Sequence, residues 1–286
     1  SVYNCKLFLM NSNNLKIYCI THKYFDFLSN LNLNIIVGGS HNKTEKFPHN
    51  WLHDSVNENI SNKNETFGSL TSLYWIWKNQ LKKIKDDDWV GICHYRRFWL
   101  KENHSQTIDI SNLNENLIES ISGNNLGFEG FVLSPQNLTG YKFMKILKKG
   151  KKNIIKNPLI LFNKKYQTIN LHFDMFHIYN GLKIASNVMN KQYKDDFLNY
   201  VNTETKYYPF SIFILKKDKF EKLCFDTFDW IFKCEDLFDK EKLRGYGQIR
   251  LFDFLAERFF SFWIEKNTKF KVSPGIFIDQ KFKNFI

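Results

Sequence analysis

No stretch of this chain stays apolar for the roughly 18 residues that a membrane-spanning helix needs. No basic-then-apolar leader opens it, so no secretory signal is read. Cysteine is sparse: Cys5, Cys19, Cys93, Cys224 and Cys234, with no CxxC pair among them. An odd number in a chain of 286 residues does not make a disulfide scaffold, and the spacing does not make a structural zinc site. A reducing, cytoplasmic compartment is the expectation. GxGxxG is missing, as is the P-loop pattern, so the common dinucleotide and triphosphate cradles are excluded. GxSxG and HExxH are missing too, and with them the commonest hydrolase signatures. Neither repeats nor a linker divide the chain. It begins with Ser1 rather than Met, and we expect one domain over 1–286, excised from a longer chain.

Aromatic residues are plentiful instead, at 17% with 29 Phe, and hydrophobic residues reach 43%. A large aromatic core follows, and disorder is excluded. The formal net charge is +12. Such a balance favours acidic partners: nucleic acid, an anionic lipid surface or phosphorylated substrates. No recognition-helix, RNA-binding or OB-fold pattern appears, so a basic nucleic-acid-binding protein stays the minor alternative. Between Lys145 and Lys165 there are eight lysines and no acid. Any one of them reads as solvated. The cluster reads as a patch for anionic headgroups and predicts peripheral membrane contact.

Strand patterns alternate with helical ones through the first half, which predicts an α/β protein. Strands are expected at Leu15–Ile20, at Leu33–Val37 before Gly38 and Gly39, at Trp89–Cys93, at Gly127–Ser134 and at Phe210–Leu215. Residues 40–65 are polar and read as a long loop, a usual home of function. A helix is expected over 65–84, where Leu70, Leu73, Tyr74, Trp77, Leu81 and Ile84 recur at helical spacing. Trp75 and Trp77 read as core rather than as sugar platforms. Residues 170–200 look helical, and the spacing of His172, Asp174 and His177 fits no zinc motif. A last helix spans 247–266. Its Arg250, Asp253 and Glu257 share a face that reads as a salt-bridged surface. Asp86 to Asp88 precede a strand, the wrong end for a ligand site, and read as a solvated turn.

The most informative stretch is WVGICHYRRFW. A buried strand runs straight into His94, Tyr95, Arg96 and Arg97. Ligand sites in α/β proteins form at the carboxyl ends of strands. Adjacent arginines are costly to bury without an anion, and their planar forks suit phosphate oxygens. A diphosphate site and a solvated strand end both fit that pattern.

Five segments, IYCITHK (17–23), NISNKN (59–64), LTSLYWIWKN (70–79), GICHYRRFW (91–99) and LAERFFSFWIEKN (255–267), come in the order of one bacterial family. The chain resembles domain of unknown function 4422, which is associated with galactofuranosyltransferases of cell-surface polysaccharides. The resemblance implies a GT-A-like nucleotide-sugar-binding domain, with a mixed central sheet flanked by helices. It implies UDP-galactofuranose or its N-acetylated relative as donor, with another UDP-sugar as the alternative, and no cofactor. The acceptor would be a capsule, O-antigen or lipooligosaccharide glycan, carried on lipid.

The first strand and its loop (Thr21, His22, Lys23) would hold the nucleotide. Asn59, Lys63 and Asn64 would meet phosphate or sugar. HYRR stands where the architecture usually carries an Asp-x-Asp metal motif, so His94, Tyr95, Arg96 and Arg97 would neutralise the leaving diphosphate without a metal. An inverting transfer needs one base, for which Asp54 in the long loop and Glu257 are the candidates. His177, Asp253 and Arg258 would contact acceptor or sugar. Departures from the family pattern fall at Asp54–Glu58, at Ser69 and around Tyr208–Ser211, near the sugar and acceptor contacts that the resemblance implies.

Overall fold

Alternate residues of the first strand enter two different cores. Tyr18 and Ile20 join one apolar cluster with Ile36, Val90 and Ile92, while Ile17 and Cys19 join another with Ile35, Val37, Trp89 and Cys93. The period-two alternation of a strand buried on both faces produces this division. The computed structural model describes residues 13–121, 123–140 and 143–279, so Cys5 lies outside the described residues.

The strands are β1 (Asn13–Thr21), β2 (Asn34–Val37), β3 (Leu52–His53), β4 (Trp89–His94), β5 (Arg97–Trp99), β6 (Ser120–Ile121), β7 (Gly130–Val132), β8 (Gln136–Asn137), β9 (Lys206–Tyr207), β10 (Phe213–Lys216), β11 (Phe270–Val272) and β12 (Gly275–Phe277). The main sheet runs β11-β7-β10-β4-β1-β2-β3. β1 pairs parallel with both β2 and β4, and β2 pairs parallel with β3. β10 is antiparallel to both β4 and β7, so the sheet is mixed. The chain leaves β1 to one side and returns on the other, which makes the β1–β4 boundary the switch point of the fold. One face carries the helices Leu70–Asn79, Lys217–Cys234 and Leu251–Asn267; the other is filled by Phe27, Leu28, Trp51, Trp99 and Leu113.

Several expected elements change length for local reasons. The helix expected over 65–84 is broken into Asn64–Phe67, Leu70–Asn79 and a short turn at Leu81–Lys83. Gly68 interrupts it at φ 51°, a conformation that L side chains rarely adopt. The strand expected from Phe210 starts only at Phe213, because Phe210 and Ser211 also have positive φ. The 170–200 region holds three helices, Ile169–Phe176, Gly181–Ser186 and Lys191–Thr203. Trp75 is buried with its Nε1 donating to Val56 O at 2.6 Å, and Trp77 stacks on Phe228, so both belong to the core. Of the acidic turn, Asp86 is exposed, but Asp88 is buried and accepts the Asn14 N–H at 3.1 Å. Among the described residues no helix is long and apolar enough to cross a membrane.

Candidate active site

A cleft of about 1010 Å³ opens at the carboxyl ends of β1 and β4, the place that the switch-point topology provides. Thr21 ends β1 fully buried. Its hydroxyl donates to Lys23 O at 2.7 Å and accepts the Lys23 N–H, which closes a tight corner. His22 lines the cleft from that corner, and Lys43 donates to its carbonyl at 2.6 Å. Lys23 is exposed and does not line the cleft.

At the end of β4, His94 pairs with Arg97 across a two-residue turn made by Tyr95 and Arg96. The turn parts the two arginines. Arg97 lines the cleft together with His94 and Tyr95; Arg96 does not, and its guanidinium lies 5.2 Å from the Tyr95 ring centre. Both arginines were expected on one ligand, but only Arg97 lines the cleft, because adjacent residues of a tight turn diverge. Arg97 sits between two rings, 3.5 Å from Phe210 and 4.8 Å from Phe277, and has no carboxylate partner among the described residues. Burial, and then the Arg97 charge, push the His94 pKa down to about 4, against a hydrogen bond to the Phe210 backbone. His94 is therefore neutral at pH 7, and its Nε2 is buried without a partner.

The opposite wall is the helix Leu251–Asn267. Asp253 and Glu257 line the cleft one turn apart. Asp253 accepts from Ser69 Oγ at 2.9 Å and from Arg250 at 2.5 Å. Glu257 accepts the Phe210 N–H and pairs with Arg258. Burial raises both carboxyl pKa values; Arg250 beside Asp253 and Arg258 beside Glu257 oppose it. The trio Arg250, Asp253 and Glu257, read from sequence as a solvated face, is thus part of the cleft wall. Gly68 makes room for it: a Cβ there would stand 2.0 Å from Arg250 Nη2 and 2.6 Å from Asp253 Oδ2.

Arg258 lines the cleft beside Glu257 and His177 although it is only 1% exposed, so it both borders the cleft and supports the wall from within. Its Nη2 lies 3.0 Å from His172 Nδ1 and 3.4 Å from His177 Nε2. A guanidinium only donates, so both nitrogens accept. His177 Nδ1 carries its proton, held 2.7 Å from Gly247 O. Burial, and then Arg258, hold His172 near pKa 2 and His177 near 3.

The chain matches the family described as a domain of unknown function, DUF4422, over residues 16–268. It belongs to the DUF4422 family. Among solved structures it is similar to the apo structure of WbbM, a bifunctional glycosyltransferase, at 21% identity and a TM-score of 0.64. The match covers 93% of this chain and 46% of that one, so the chain spans less than half of that protein. At this identity the likeness is one of fold, and the mixed sheet flanked by helices is the expected GT-A-like architecture. Comparison with curated proteins finds no match.

Of the segment carrying the DUF4422 resemblance at 59–64, only Asn64 lines the cleft. Asp54 is 0% exposed and does not line the cleft. Its carboxylate accepts the N–H groups of Gly39 and Ser40 and the hydroxyls of Ser40, Ser61 and Thr71, at 2.6 to 3.0 Å. A group so enclosed cannot reach an acceptor hydroxyl, so the structure gives Asp54 the task of folding the loop. Asn59 donates to Ser55 O and Asn57 O, and Lys63 is paired with Glu235 at 2.5 Å, away from the cleft. Asn64 does line it, donating to Gly68 O and Thr71 Oγ1. The sequence did not mark Lys43, Tyr207 or Arg250 as wall residues, and of these only Arg250 carried a signal, its helical spacing to Asp253; Phe210 falls in the departure from the family pattern at Tyr208–Ser211. Among the described residues no three His, Cys, Asp or Glu side chains are grouped to hold a metal ion.

Proposed function

We propose that this DUF4422 protein transfers a sugar from a nucleotide sugar to a glycan hydroxyl, with inversion. One observation carries the reading. Arg97, a cation with no carboxylate partner among the described residues, shares a cleft at the switch point with the buried carboxylate of Glu257. An anion suits the first and a proton the second. In this reading the donor diphosphate lies toward His22, Lys43 and Arg97, and the nucleoside toward the end of β1. The departing diphosphate gains negative charge, which the half-buried Arg97 stabilises beside the end of β4. Glu257 takes the acceptor hydroxyl proton as the oxygen attacks the anomeric carbon. Asp253, fixed by Ser69 and Arg250, receives a sugar hydroxyl. A single displacement inverts the anomeric centre. The neighbouring fold, that of a bifunctional glycosyltransferase, supports the class of reaction.

The finer reading follows the resemblance: UDP-galactofuranose or UDP-N-acetylgalactofuranosamine as donor, and a lipid-linked capsule, O-antigen or lipooligosaccharide glycan as acceptor, in the cytoplasm. A UDP-hexopyranose or UDP-hexuronic acid is the alternative donor. The test is a panel of UDP-sugars incubated with and without glycan acceptors, with UDP release and glycan mass both measured. Acceptor-dependent UDP release with a matching gain in glycan mass is expected. Release that ignores the acceptor would instead make the protein a hydrolase.

A further inference from the structure

We propose that the surface segment from Met144 to Lys165 docks on an anionic lipid bilayer, with Ile155, Leu159 and Phe162 entering the boundary between headgroups and acyl chains. The apolar residues here divide into two sets. Ile146 and Ile160 turn inward and form a small core with Leu171 and Met175, flanked by Ile154, Leu161 and Tyr166. That core anchors the segment to the helix Ile169–Phe176. The other set faces out: Ile155 is 83% exposed, Phe162 79%, Met144 59% and Leu159 53%. Scattered exposed apolar residues are ordinary, but four in one short segment already folded on its own core mark a contact surface.

The charge around them says what the contact is. Lys148, Lys151, Lys152, Lys164 and Lys165 are exposed. The sequence has no acidic residue between Glu129 and Asp174. None of the five lysines has an ion-pair partner among the described residues. Lysines surrounding outward aliphatic side chains match a bilayer, which offers anionic headgroups above hydrocarbon. A nucleic acid offers the anions but no hydrocarbon for Ile155 and Leu159, since bases stack on rings rather than on aliphatic chains. The segment also adjoins the cleft. Lys149, at the end of the helix Phe143–Lys149, and Phe176 both line it. A docked molecule would hold the cleft rim near the headgroups, where a lipid-carried acceptor would be presented. The docking itself does not depend on the donor reading.

The full chain is sedimented with vesicles of phosphatidylcholine alone and of phosphatidylcholine with phosphatidylglycerol, at low and at physiological salt. Binding only to the anionic vesicles is expected, falling steeply with salt because screening shortens the reach of exposed charge. The combined K148Q, K151Q, K152Q, K164Q and K165Q variant should lose about fivefold in partitioning for each lysine. The I155S/F162S variant should lose about tenfold or more with every lysine kept. All seven positions are exposed, so both variants should melt with the wild type. The proposal is overturned if wild-type protein ignores anionic vesicles at low salt, or if either variant binds as wild type does. Tighter binding to a short single-stranded RNA than to the anionic vesicles also overturns it. No sugar transfer is measured, so a failure here and a failure of the donor reading remain distinct results.

Discussion

Glu257 accepts the backbone N–H of Phe210, a residue held in the left-handed region at φ 75°. Ser211 follows at φ 55°. Two successive non-glycine residues in that region cost about 1–3 kcal/mol each. The surroundings hold them there. His94 at the end of β4 bonds the Phe210 backbone, and Arg97 at the start of β5 lies on the Phe210 ring. One strained loop residue thus joins the wall that carries the proposed base to the strand end that carries the proposed diphosphate cation.

Replacing Glu257 separates these two tasks. E257Q keeps an acceptor for the Phe210 N–H but removes the base. Its kcat per folded molecule should fall by about 10²–10⁴-fold, while the melting temperature also drops because the buried Arg258 loses its charged partner. Burial raises the Glu257 pKa above the ordinary 4.5. The base works only deprotonated, so wild-type activity should fall with falling pH on a limb that lies above 4.5. Steady-state rates against pH test this. A Gln variant with wild-type kcat would remove Glu257 from the role.

The arginines of the turn should behave differently. Arg97→Ala should lower kcat by more than about a hundredfold, the scale of a lost transition-state donor. Arg97→Lys should recover only part, because an ammonium lacks the planar fork and stacks less well. Arg96→Ala should cost far less, since Arg96 does not line the cleft. Equal losses at both positions would show that the turn rearranges around the donor.

With HYRR at the strand end, transfer should not need a divalent cation. Rates measured in EDTA should equal those measured with Mn²⁺ or Mg²⁺. Activity abolished by EDTA and restored by either ion would reject this.

Asp54 should prove a stability residue. Asp54→Ala would leave buried N–H and hydroxyl donors of Gly39, Ser40, Ser61 and Thr71 without their acceptor. A loss of about 3 kcal/mol or more is expected in urea denaturation. The kcat per folded molecule should change much less than it does in E257Q. A fully stable but inactive variant would restore Asp54 as a chemical candidate.

The fold should also weaken in mild acid. His172 and His177 titrate near 2 and 3 when folded, but near 6.5 in an unfolded chain. Their folded pKa values are depressed, so their contribution is present above about 6.5 and is lost as pH falls toward the folded values. Each histidine should cost about 2 kcal/mol between pH ~6.5 and pH ~5. Chemical denaturation across that range checks it, and a flat profile would mean that the two rings are less enclosed than their contacts with Arg258 imply.

Much of the frame was readable from local pattern. Alternation marked β1 and β4, and the run from Trp89 to Arg97 marked a cationic strand end. The five ordered segments pointed to the DUF4422 family, which the match over residues 16–268 bears out. Such signals survive in sequence because strand alternation and strand ends depend on neighbours along the chain. The roles of single residues were less readable. Asp54 looked like a base in a polar loop, yet its oxygens are enclosed by donors from residues 39 to 71. By spacing alone Arg250, Asp253 and Glu257 looked like a solvated face, and only the family resemblance marked Asp253 and Glu257, because helical spacing reports which side chains share a side, not what that side meets.

By itself, then, the sequence determined the alternating elements, the positive charge, the lysine-rich segment and the cationic end of β4. Only the tertiary structure decided which arginine enters the cleft, which carboxylates face it and why Gly68 must be glycine. Those outcomes depend on contacts between residues far apart in the chain: Gly68 against Arg250 and Asp253, and Phe210 against His94, Arg97 and Glu257. A side chain's chemistry is set by what encloses it, and here the enclosing groups come from strands and helices that local pattern cannot bring together.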